Sequence, residues 1–163
     1  MATRFVWTPQ SADLPASGFP APGVDGQARP YLAFDATTDE SCDFSGIAPQ
    51  GLTGALTVVL TYRMTSATTG SVRWQAALEA ITAADAVDTD AASSFDTANS
   101  NGGTVPGTAG YIQQISITMT NADSIAAADY FRLRVNRDAD GTSGTDDATG
   151  DAELLAVELR DAA

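Results

Sequence analysis

The chain of 163 residues contains no lysine, no histidine and a single cysteine, Cys42. Each absence closes off a class of chemistry. Without histidine there is no Ser-His-Asp or Cys-His pair, no imidazole acid–base catalyst and no imidazole-ligated metal. Without lysine there is no Schiff base and no phosphate-loop lysine. One cysteine allows neither an internal disulfide nor a thiolate zinc site. Positive charge is scarce as well: 8 arginines stand against 21 acidic side chains, for a net charge of −13. Such an acid excess repels phosphates and argues against nucleic acid as a partner. No apolar run approaches the roughly 20 residues of a membrane helix, so no membrane partner is expected. Met1 to Trp7 lacks the pattern of a signal peptide, which predicts synthesis in the cytosol. Cys42 suits a reducing compartment and reads as a small buried hydrophobe, since no base is present to activate it.

Hydrophobic residues make up 44% of the chain, enough for one ordinary globular core at this length. Residues 1–30 stand apart. They hold five of the seven prolines, Pro9, Pro15, Pro20, Pro22 and Pro30. Proline lacks a ladder donor, so this stretch is excluded from a central sheet. It nevertheless carries Phe5, Trp7 and Phe19, which a disordered tail rarely does. The expectation is an extended N-terminal arm that lies either on its own domain or on a neighbouring subunit. Arg4–Thr8 is able to form a short edge strand.

Residues 31–163 read as one β-sandwich domain. In Leu56–Met64, Leu56, Val58, Leu60, Tyr62 and Met64 share one face. Val72–Glu79 alternates in the same way, with Val72, Trp74, Ala76 and Leu78 inward. Gln75–Ala84 also has helical propensity, but the alternation favours a strand. A hairpin turn over 67–70 would join these two strands. Residues 83–110 lack periodicity and read as a long loop that Phe95 pins to the core. Further strands follow at 112–119, 130–137 and 153–160, with a single helical turn expected over Ile125–Ala128. The inward sets are Ile115, Ile117 and Met119, then Phe131, Leu133 and Val135, then Leu155, Val157 and Leu159. If the last two strands pair, Arg132 and Arg134 face Glu153 and Glu158. With Pro30–Phe34 and Glu40–Phe44, the total is about eight strands. The fold class is all-β, an antiparallel and jelly-roll-like sandwich.

The candidate sites are sparse. Asp138, Asp140, Asp146, Asp147 and Asp151 crowd one connection and offer oxygens to a cation such as Ca²⁺. The EF-hand spacing fails, because Thr142 and Thr149 occupy positions that need acidic or amide ligands. The same residues equally suit a solvated turn, so no cofactor is assigned. Glu79 is a lone glutamate near Trp74. It reads as an exposed strand residue rather than half of a glycosidase pair. Trp74 reads as core rather than as a sugar platform. No catalytic set and no small-molecule substrate are expected.

The segments Thr118–Ser124, Asp129–Asp138 and Thr149–Leu155 resemble the last strands of β-sandwich modules in tailed-bacteriophage capsid decoration (cement) proteins. The resemblance spans about a third of the chain. It implies a homotrimer on the capsid surface of the virion, bound to the major capsid protein and stabilising the head. It also implies an N-terminal clasp, in which Arg4, Phe5, Trp7 and Phe19 would be the interface residues. The alternative is a receptor- or glycan-binding β-sandwich module of a tail fibre or similar appendage.

Overall fold

In the computed structural model, residues 2–52, 55–83 and 85–162 are described. Among the described residues there are ten strands and one 3₁₀ turn, Pro9–Ser11. The strands are β1 (Thr3–Trp7), β2 (Ala21–Val24), β3 (Pro30–Phe34), β4 (Glu40–Ile47), β5 (Leu56–Met64), β6 (Ser71–Ile81), β7 (Asn99–Thr104), β8 (Gln113–Met119), β9 (Tyr130–Arg137) and β10 (Ala152–Asp161). They make two antiparallel sheets. The larger runs β2-β3-β10-β5-β8, with β1 also on β10; the smaller runs β4-β9-β6-β7. This is the expected all-β sandwich, with β1 on the short edge strand expected over Arg4–Thr8 and with additional strands β2 and β7.

The alternation decides which faces meet. Leu56, Val58, Leu60, Tyr62 and Met64 of β5 are all buried, as are Val72, Trp74 and Leu78 of β6. The expected hairpin between β5 and β6 does not form. The two strands lie in opposite sheets, and residues 65–70 cross between them. The cause is that both strands carry a continuous apolar face. Facing each other across the sandwich buries both, and Tyr62 meets Trp74 with ring centroids 5.4 Å apart. Phe34 closes on the other side of Trp74 at 4.9 Å.

Several expectations are corrected. In β10 a bulge between Leu154 and Ala156 shifts the register, so Leu154 rather than Leu155 enters the core with Val157 and Leu159. β9 pairs with β4 and β6 rather than with β10, so Arg132 and Arg134 do not face Glu153 and Glu158. Two separate turns, at 123–124 and 127–128, stand in place of the helical turn expected over Ile125–Ala128. The stretch 83–110 is not wholly a loop, because Asn99–Thr104 pairs with β6. Glycine suits β7: a Cβ on Gly102 would lie 2.9 Å from the Val72 carbonyl oxygen.

The N-terminal stretch is also built into the sandwich. β1 pairs with Val157–Arg160 of β10, while β3 pairs with Ala152–Leu154 on the same side of that strand. Proline-bearing β2 takes the outer edge beyond β3, where its missing donor disturbs no further ladder.

Candidate functional site

The most developed surface is the outer face of the smaller sheet. In strands β4, β9 and β6 the alternate residues turn away from the core. Across three strands they form rows: Ser41, Asn136 and Gln75; then Asp43, Arg134 and Ala77; then Ser45, Arg132 and Glu79; then Ile47, Tyr130 and Ile81. Two opposite-charge pairs occupy the middle rows. The Arg134 guanidinium donates to both oxygens of Asp43, at 2.8 and 3.0 Å. This bidentate bond to Asp43 raises the Arg134 pKa above its ordinary value. Arg132 donates through Nε to Glu79 Oε2 at 2.6 Å and reaches Asp43 at 3.5 Å.

Residues 94–96, in the connection from β6 to β7, fold over this face. The Ser94 backbone N–H donates to Glu79 Oε1, and the Asp96 N–H donates to the Leu78 carbonyl at 2.8 Å. Phe95 lies between these two anchors. Its ring sits 4.1 Å from the Arg134 guanidinium carbon and 4.9 Å from that of Arg132. Phe95 thus packs on the outer face and not into the core. Cation–π contacts of this kind are worth about 0.5–1 kcal/mol each at exposed sites. The result is two hollows on one sheet face. The larger, of about 500 Å³, is lined by Ile47, Glu79, Ile81, Thr89, Tyr130 and Arg132. The smaller, of about 160 Å³, is lined by Ser41, Gln75, Ala77, Ala98, Arg134 and Asn136.

The structure places the singled-out residues as follows. Glu79 is buried, at 2% exposure, against the expectation of an exposed strand residue. The connection and Arg132 cover it together. Its position is foreshadowed by its outward register, and the covering segment carries only the lone aromatic Phe95 as a sign. Trp74 lies in the core at 0% exposure, as expected. Tyr130, at 40% exposure beside the larger hollow, was not singled out by sequence. Its outward position in β9 was the available signal.

The aspartates do not gather into one cage. Asp138 and Asp140 come together with Asp39, which the sequence did not suggest. Asp138 is buried and accepts bonds from the Thr142 hydroxyl and from the Ser143 N–H and hydroxyl. Burial pushes its pKa up, but these hydrogen bonds together hold it below the ordinary value. Asp146 bonds to Arg137 and to the Arg73 N–H. Asp147 accepts from the Ser71 N–H. The Asp151 carbonyl accepts from the Thr65 N–H. These groups shape the connection onto β6 and β5. Arg137, their partner through Asp146, is fully buried.

Of the four expected interface residues, three face inward or along the sheet. Trp7 is 7% exposed and stacks on Phe5 with centroids 4.9 Å apart. Phe5 meets Phe131 edge-on at 5.1 Å. Arg4 pairs with Asp161 at 2.8 Å. Phe19 keeps 39% of its surface exposed. Cys42 is buried, and burial pushes its thiol pKa up.

No family model matches the chain, and no curated protein matches it. Some solved structures are similar in fold. One is the CBM22-1 xylan-binding domain from Paenibacillus barcinonensis Xyn10C, at 11% identity and TM-score 0.48, covering 96% of this chain and 90% of that one. CBM35 from Cellvibrio japonicus Abf62 is 9% identical with TM-score 0.43, covering 98% and 97%. A non-crystalline cellulose specific carbohydrate-binding module, CBM28, is 11% identical with TM-score 0.45, covering 93% and 85%. At such identities and scores the likeness says nothing about what this chain binds.

Proposed function

We propose that the chain is a non-catalytic glycan-binding module whose site is the larger hollow on the smaller sheet. The observation that carries this reading is the hollow itself. At about 500 Å³ it falls within the usual range for small-ligand sites. Its lining joins apolar side chains, the half-exposed ring of Tyr130 and an immobilised Glu79–Arg132 pair. A sugar ring presents C–H faces and a rim of hydroxyls, so it suits a wall of this mixed kind. Glu79 and Arg132 already hold each other, so little rotamer freedom remains to be lost on binding. The side-chain inventory is in keeping with binding rather than turnover. The chain has neither lysine nor histidine, and Glu79 is engaged on both oxygens.

The clasp implied by the capsid-decoration expectation needs a free aromatic arm, whereas Phe5 and Trp7 are packed inside this domain. The glycan reading is tested by a glycan array followed by titration calorimetry on the best probe. Tyr130→Ala is expected to weaken binding at least about tenfold, a loss of about 1.4 kcal/mol. An array with no signal at any glycan would refute the reading.

A further inference from the structure

The two hollows lie along one strand, and the Phe95 ring is stacked on the two arginines that mark the step from one to the other. Along β9 the outward residues run Tyr130, Arg132, Arg134, Asn136. Tyr130 and Arg132 line the larger hollow, while Arg134 and Asn136 line the smaller one. Phe95 stands over the step between Arg132 and Arg134, in contact range of both guanidiniums. Consecutive outward positions in a strand are about 6.6 Å apart, which is close to the span of the ring with its contacts. A ligand lying along β9 would therefore meet Phe95 before it reached Arg134. The ring is held from both sides in sequence, by Ser94 on Glu79 and by Asp96 on Leu78. The smaller hollow, at about 160 Å³, is below the usual size of a ligand site on its own.

The charges define a second limit. Both guanidiniums that face the hollows are already paired, Arg132 with Glu79 and Arg134 with Asp43. A carboxylate or sulfate on a ligand would have to break one of these pairs and would approach a chain of net charge −13.

We propose that the larger hollow holds the end residue of a neutral saccharide chain, and that Phe95 is the specificity-determining wall that stops the chain from continuing along β9. This proposal rests on the glycan-binding reading above. It makes the ligand short in its contacts, neutral in charge and approached from its terminus. Phe95 itself acts by position: it occupies the place where a second and third residue would lie.

The test measures affinity against chain length. The probes are neutral homo-oligosaccharides of increasing length, in gluco-, xylo-, manno- and galacto- series, together with uronic-acid and sulfated oligosaccharides. For the wild-type protein the expected affinity for a bound neutral series is the same, within about twofold, from disaccharide upward, with no binding of the acidic probes. For Phe95→Ala, which removes the ring from the step between Arg132 and Arg134, affinity is expected to rise at least about fivefold along the same series. A wild-type affinity that climbs tenfold with length would overturn the wall while leaving glycan binding in place. Preference for an acidic probe would overturn the neutral assignment, again with glycan binding intact. Silence across every probe would refute both this proposal and the reading beneath it.

Discussion

Arg137 offers the sharpest test of how this sandwich is held together. Its side chain is fully buried at the end of β9, against Asp146, which is likewise almost inaccessible. A guanidinium has five N–H donors, and here all five have an acceptor. Nε and one NH2 hydrogen go to the Asp146 carboxylate at 3.1 and 2.8 Å. NH1 serves the carbonyls of Phe34 and Gly150 at 3.2 and 3.0 Å, and NH2 serves that of Ala148 at 3.0 Å. One side chain thus ties β9, β3 and the acidic connection together. Asp146→Ala leaves the cation buried and unpaired, which costs about 3–5 kcal/mol. For a chain of this length that is a fall in melting temperature of roughly 6–20 °C. Arg137→Lys is also expected to be costly. Lysine has three donors and cannot fork, so at least two acceptors lose their partner, at about 1–3 kcal/mol each. The assay is urea unfolding followed by fluorescence of buried Trp7 and Trp74, with the slope checked for constancy. A loss below about 1 kcal/mol for Asp146→Ala would refute the reasoning, because it would mean that water reaches the cation.

Other outcomes follow from the same physics. Trp7→Ala removes an almost fully buried indole and should cost about 3–5 kcal/mol; an unchanged urea midpoint would show β1 detached in solution. Stability should fall in acid. The Arg29 backbone N–H and then the Arg63 guanidinium lower the Asp25 pKa from 3.8 to about 2. A lowered carboxyl contributes stability that is present above its unfolded value and lost as pH falls through the folded one, so the loss lies between these two values. Asp25→Asn should flatten the slope of urea midpoint against pH in that window, and an unaltered slope would contradict it. Glu40 works in the opposite sense, because burial raises its pKa. Calcium at matched ionic strength should leave the melting temperature unchanged, since the Asp138 oxygens are already bonded to Thr142 and Ser143; a rise of several degrees would show that a cation displaces those donors.

The strands that were legible in the sequence are those with one apolar face. β5, β6, β8 and β9 announce themselves by alternation, and their inward residues are the buried ones. β7 was not legible, because Asn-Ser-Asn-Gly-Gly-Thr has no apolar alternation to read. It is specified by its neighbours: the Asn99 side chain bonds to Thr120 and Asn121, and Asn101 bonds to the Ser116 carbonyl. Pairing partners were equally hidden. Alternation tells which face of a strand is buried, but not which strand lies beside it. The expected Arg132 and Arg134 partners in β10 were therefore wrong, although the outward direction of both arginines was right.

The same limit explains why the candidate site was missed. Its floor could be derived one residue at a time, since Glu79, Tyr130, Arg132 and Arg134 all sit at outward positions. Its existence depends on two facts that no single strand records. One is the order β4-β9-β6, which sets Asp43 and Glu79 on either side of the two arginines. The other is the return of residues 94–96 over the face, fixed by a backbone N–H at Ser94 that any residue except proline supplies. Phe95 was the one visible clue, a lone aromatic in a polar connection. Sequence reasoning assigned it to the core because burial is the commonest use of a phenyl ring. An outer sheet face rich in arginine is a second use, and three arginines within β9 were the sign that it was available. An aromatic residue isolated in a long connection is thus better read against the outward residues of every strand it can reach than against the core alone.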